Sequence, residues 1–224
     1  MNEQEPTGTS LIRPELRSIV RLAVSMAVVA AIAAQLQFLA DNDLLRTVNF
    51  FSFFTIDSNI LAALVFVGLE FDRSSPIGRV ARRCRGAATL YMTMTGIIYA
   101  VLLAPIAADV STQLDWVNAV LHIIVPIWAI ADWVTNPPAP APDRRTVLWW
   151  LSFPVAWLTY TVIRGNIVDW YPYPFLDPRE DVEHAAGSWP VVIITTLVLT
   201  AAVVGLGLGL AWIARRRVAS IAAG

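Results

Sequence analysis

The sequence has no lysine, one cysteine and two histidines among its 224 residues. A lone thiol, Cys84, excludes an internal disulfide, and no metal-ligand spacing of His, Cys, Asp or Glu surrounds it. No glycine-rich phosphate loop is present, so no nucleotide, metal or other cofactor is expected. Charged residues make up only 15% of the chain. The basic ones cluster beside apolar runs, which suits anionic lipid headgroups rather than a nucleic acid. No secretory signal is expected, because the chain opens with Glu3 and Glu5 and its first apolar run is long enough to span. Met1 to Ser10 is read as a polar, disordered tail.

What the chain has in excess is apolar sequence, 57% of all residues, well above the roughly 45–50% of a soluble domain. It is gathered into runs long enough to cross about 30 Å of hydrocarbon. Six spans are predicted, at about Ile19–Leu39, Val48–Phe71, Gly86–Ile106, Asp115–Trp133, Thr146–Ile163 and Ser188–Ile213. Residues 1–18 and 214–224 form the flanking tails. The predicted fold class is an all-α integral membrane protein, a six-transmembrane-helix bundle with both termini cytoplasmic. Arginine placement sets this direction: thirteen of the 16 fall on one side of the alternation and three, Arg46, Arg164 and Arg179, on the other. A multi-pass protein of the cell membrane is expected. Trp116, Trp133, Trp149, Trp150, Trp189 and Trp212 lie near span ends, as interfacial indoles do. Gly205 and Gly209 offer a small-residue packing face, and Asn136–Pro142 reads as a stiff link.

Polar groups within spans are costly and tend to face the bundle interior. In the second span Ser52, Thr55, Ser58 and Asn59 share one helical face. Asp57 points elsewhere and, read as mid-span, calls for a partner or a raised pKa. In the fourth span His122 follows Asn118 by one turn. Pro126 cannot donate to the carbonyl of residue 122, so a kink or loosening is expected there. Tyr160 and Arg164 are spaced i, i+4 at the end of the fifth span. The segment after it, with Trp170, Tyr171, Tyr173 and Phe175, reads as an interfacial anchor or a lid over a cavity.

Thr55 and His122 both lie seven residues into spans that start on the same side, about 10 Å deep at 1.5 Å per residue. A threonine hydroxyl needs a base to act as a nucleophile, and histidine titrates close to working pH. The pair could therefore open an ester through an acyl-enzyme. Asn59, Asn118, Tyr160 and Arg164 are candidate substrate or oxyanion contacts. Two readings compete with this. One is a transporter or ligand-binding protein with a proton or anion site at Asp57, His122 and Arg164. The other is a scaffold whose polar face only joins helices. His184, in an acidic loop, is a rival base.

Three segments carry a resemblance: FFT at Phe53–Thr55, LHIIVP at Leu121–Pro126, and WYPYPFLD at Trp170–Asp177. In this order and spacing they resemble the androgen-induced protein family of transmembrane threonine hydrolases. The resemblance implies a multi-span enzyme that cleaves fatty acid esters of hydroxy fatty acids, with Thr55 as nucleophile and His122 as its partner. It assigns no role to Asp57. The expected partners are membrane lipids and a lipid ester, with no nucleic acid; no residue pattern specifies an oligomer.

Overall fold

A computed structural model describes residues 13–106 and 114–223, with side chains to residue 220. The expected polar tail at Met1–Ser10 lies outside these residues. Every regular element among them is helical. Helix α1 spans Pro14–Asp41, opened by proline in its first turn with Glu15 beside it, a pairing that suits a helix start. Helix α2 is the short Thr47–Phe50 and α3 is Phe54–Gly68. Helix α4, Pro76–Ile98, continues through a π turn at Tyr99–Leu103 and a 3-10 turn at Ala104–Ile106. Ser75 caps α4 by accepting from the Gly78 amide at 3.0 Å. Helix α5 is Asp115–Ala119, joined by a π turn at Val120–Ile124 to α6, Val125–Thr135. Helices α7, Arg144–Trp150, and α8, Ser152–Val168, meet at Leu151. Helix α9 spans Trp189–Ala223.

Five of these helical stretches are long and apolar enough to cross a membrane: Pro14–Asp41, Pro76–Ile106, Asp115–Thr135, Arg144–Val168 and Trp189–Ser220. This is the pattern of a multi-pass membrane protein. Their outward faces carry exposed Met26, Val29, Ile127, Ile167, Ile194 and Leu197, which a lipid environment accommodates and water does not.

The predicted second span departs from expectation. It is not one helix over Val48–Phe71. The chain turns at Phe51–Phe53, and the apolar helix that follows has 15 residues. Ser52 explains the break: its Oγ donates to the Val48 carbonyl at 2.7 Å, and its own carbonyl accepts from the Trp157 indole at 3.1 Å. A hydroxyl that bonds the backbone locally competes with the helix ladder. Asp57 is therefore in the first turn of α3 rather than mid-span, where the positive end of the helix suits a carboxylate.

Two smaller corrections concern packing. Trp133 and Trp150 are fully buried instead of interfacial, and the Trp133 indole donates to the Leu210 carbonyl at 3.0 Å. A Cβ at Gly205 or Gly209 would meet nothing within 4 Å, whereas one at Gly207 would stand 2.9 Å from Val147. The close approach of α9 to α7 is thus at Gly207. The break at Leu151 also has a visible cause: Pro154 cannot donate to the Trp150 carbonyl, and the Tyr91 hydroxyl does so instead at 2.7 Å.

Helix α3 packs against α1 and α4, and α4 against α6, which makes α4 the central element. Helix α9 packs on α4, α6 and α7.

Candidate active site

The break at Phe51–Phe53 gives α3 a fresh N-terminus, and Thr55 is its second residue. The π turn at Val120–Ile124 holds the buried His122 one turn before Pro126. The loosening expected beside the proline is this wide turn, a local form common at functional positions. Gly96 allows the approach of α4: a Cβ there would stand 3.1 Å from Pro126 and 3.4 Å from the His122 carbonyl.

Thr55 Oγ1 is 3.1 Å from His122 Nε2. His122 Nδ1 is 3.3 Å from the Asn118 carbonyl oxygen. A carbonyl can only accept, so this network assigns the ring proton to Nδ1 and leaves the Nε2 lone pair to accept from the Thr55 hydroxyl. The imidazole is stacked on Tyr99, with ring centroids 4.3 Å apart and planes at 25°. Asn118 Nδ2 donates to the Tyr99 hydroxyl at 2.5 Å, so one residue fixes both the ring and the surface it lies on.

Tyr173 completes the constellation. Its hydroxyl accepts from the Thr55 backbone amide at 3.2 Å and stands 3.2 Å from Thr55 Oγ1. Because the Thr55 proton points to His122, Tyr173 donates to Oγ1. Burial pushes the phenol up to about 12, so it carries its proton at neutral pH. The phenol is held by its neighbours: Phe175 stacks on it at 5.2 Å, and Phe53 meets it edge-on at 5.6 Å.

The other candidate residues divide into two groups. Asn59 is spent on structure, donating to the Thr55 carbonyl at 2.8 Å and the Leu121 carbonyl at 3.2 Å. It thereby ties α3 to the π turn behind the dyad. Ser58 bonds the Thr55 carbonyl and Thr95 in the same layer. Tyr160 and Arg164 are not gathered at Thr55. The Tyr160 hydroxyl pairs with Ser52 at 3.0 Å. Arg164 donates to Asn49 Oδ1 at 2.6 Å and covers the Trp170 ring at 5.2 Å. Asn118 and Tyr171 line the same cavity as His122; Asp57 and Arg164 do not. His184 faces Glu183 at 3.8 Å and takes no part in that lining.

That cavity, about 370 Å³, has Thr55, Tyr99, Asn118, His122 and Tyr173 in its walls. A second and smaller one, about 100 Å³, begins at Thr55 and runs between α4, α8 and α9. Sequence reasoning read Tyr173 as part of an interfacial anchor or a lid and gave Tyr99 no role. The WYPYPFLD segment marks the first as unusual; nothing in the sequence marks the second.

Comparison with models of known protein families, with curated proteins and with solved structures finds no match to this chain.

Proposed function

We propose that the protein is a multi-pass hydrolase of long-chain carboxylic esters, with Thr55 as nucleophile and His122 as general base. The observation that carries this reading is the 3.1 Å contact between Thr55 Oγ1 and His122 Nε2, in a ring whose other nitrogen is tied to a carbonyl. It is the nucleophile–base–orienter arrangement of acyl transfer. His122 takes the hydroxyl proton as Oγ1 attacks the ester carbon. The negative charge that grows on the carbonyl oxygen needs donors. The nearest are the Tyr173 hydroxyl and the Thr55 amide, at the positive end of α3. Collapse expels the alcohol and leaves an acyl-threonine, which water hydrolyses with His122 again as base. The resemblance of the FFT, LHIIVP and WYPYPFLD segments to the androgen-induced protein family supports the same assignment.

In this reading α2 and α3 together make the sixth crossing, and the thirteen arginines mark the cytoplasmic side of the cell membrane. The dyad then lies in the outer half of the bilayer, and membrane lipids surround it. The transporter reading has less support, because Asp57 and Arg164 do not line the His122 cavity.

The test is turnover of a long-chain ester by purified protein. His122→Ala is expected to lower kcat by about 10²–10⁴-fold, the usual worth of a general base. Thr55→Ala should abolish turnover, and Thr55→Ser should keep part of it. Full activity in both Thr55→Ala and His122→Ala contradicts the assignment.

A further inference from the structure

The two cavities share Thr55, Leu103 and Tyr173 and otherwise have different walls. Only the wider one is lined by His122. The narrower one is closed almost entirely by apolar side chains, among them Met94, Ile98, Trp157 and Val203. Thr196 and Val203, both in its wall, are seven residues apart on α9, so it follows that helix for about 10 Å. Its lining includes Val155 of α8 and Thr200 of α9, both exposed. It therefore opens sideways between these helices, onto the face that lipid would cover.

We infer that the two chambers sort the halves of the ester: the acyl chain occupies the apolar chamber, and the leaving alcohol occupies the chamber that holds His122. The inference rests on the hydrolase reading and adds a direction to it. The warrant is proton bookkeeping at Nε2. In the first step the bond from Oγ1 to the carbonyl carbon forms, the bond from that carbon to the alcohol oxygen breaks, and the threonine proton passes to Nε2. The departing alkoxide takes this proton from Nε2, so its oxygen must lie on the imidazole side of Thr55. In the second step water gives a proton to Nε2 and adds to the acyl carbon. The Oγ1 bond breaks, and the threonine recovers its proton. Water too must arrive from the imidazole side, through the wider chamber with its amide side chains at Gln35 and Asn118. The acyl chain is left the side that lacks the base. The freed fatty acid then departs between α8 and α9 into the lipid. Thr200 and Leu199 on α9 become determinants of acyl-chain length, and Leu39 on α1 of alcohol size.

A photoreactive phosphonate tests this on the wild-type protein. The probe is an alkyl fluorophosphonate whose long chain, mimicking the acyl part, ends in a diazirine. After it bonds to Thr55 and is illuminated, the expected crosslinks lie on 154–158 or 196–203. Crosslinks on 35–39, 170–172 or 177–182 overturn the sorting while leaving the hydrolase reading intact, and no bond to Thr55 at all overturns that reading and the inference with it. Two ester series give the independent measurement. In Thr200→Trp, the ratio of kcat/KM for 4-nitrophenyl decanoate over 4-nitrophenyl acetate should fall at least about tenfold. The ratio for decyl acetate over ethyl acetate should hold. Leu39→Trp should do the reverse. The opposite pattern in either variant contradicts the assignment.

Discussion

Arg21 and Asp132, 111 residues apart in the chain, meet in a buried ion pair at 2.8 Å. Arg85 reaches the same carboxylate at 2.9 Å, and Arg21 also reaches Glu70 at 3.2 Å. One aspartate of α6 thus binds α1 and α4, and Arg21 draws in the turn that follows α3. Removing its charge leaves Arg21 with Glu70 as its carboxylate and Arg85 with the carbonyls of Asp132 and Asn136, and breaking a buried pair costs about 3–5 kcal/mol. Asp132→Asn should lower the thermal transition in detergent by many degrees. An unchanged transition would show that the cluster does not hold the bundle.

The Tyr173 hydroxyl is the only phenol within hydrogen-bond reach of Thr55 among the described residues. Tyr173→Phe keeps the ring and its stacking on Phe175 and removes one donor. The expected result is a fall in kcat of about 10²-fold, the lower range for losing an oxyanion donor, with KM little changed. A rise in KM at constant kcat would make Tyr173 a wall of the cavity and nothing more.

Gly165 supports the same segment from behind. A Cβ at this position would fall within the Tyr171 ring, so Gly165→Ala must displace Tyr171 and the chain leading to Tyr173. The expected cost is about 1–3 kcal/mol of stability, typical of overpacking. Ester turnover should fall together with the transition temperature, although the mutation touches no reacting group. Stability lost with turnover intact would uncouple Tyr171 from the site.

Asp177 fastens the far end of this segment, accepting from Arg179 at 2.9 and 2.5 Å. Burial works to raise its pKa, and the hydrogen bonds and charge of Arg179 outweigh it, so the carboxyl titrates below its usual value. A depressed folded-state pKa adds stability that is complete above the ordinary aspartate value, about 3.9, and is lost as pH falls through the folded one. Protection against hydrogen exchange across 170–187, taken relative to the intrinsic rate at each pH, should therefore be steady from neutral pH to about pH 5 and weaker in stronger acid. Asp177→Asn should show the weaker protection at every pH.

The apolar runs were legible in the sequence, and so was the pairing of Thr55 with His122, which meet at 3.1 Å, although the continuous helix along which their depth was counted is broken at Phe51–Phe53. Three features were not. The turn at Phe51–Phe53 depends on Ser52 bonding Val48 and on Trp157, 105 residues away, bonding Ser52; a run of phenylalanines gives no sign of it. Arg21 and Arg85 read as rim charges because their partner Asp132 is distant in sequence. Tyr173 reaches Thr55 from a segment whose composition suggested a membrane-surface anchor or a lid and gave no sign of a contact with the threonine. In each case a long-range polar contact decided the local structure.

The most direct test of the Thr55–His122 dyad is the site of modification by a long-chain alkyl fluorophosphonate, read by peptide mass spectrometry. The expected adduct is on Thr55, absent in Thr55→Ala and slowed at least about 10²-fold in His122→Ala. An adduct on another residue, or labelling that His122→Ala leaves unchanged, would contradict it.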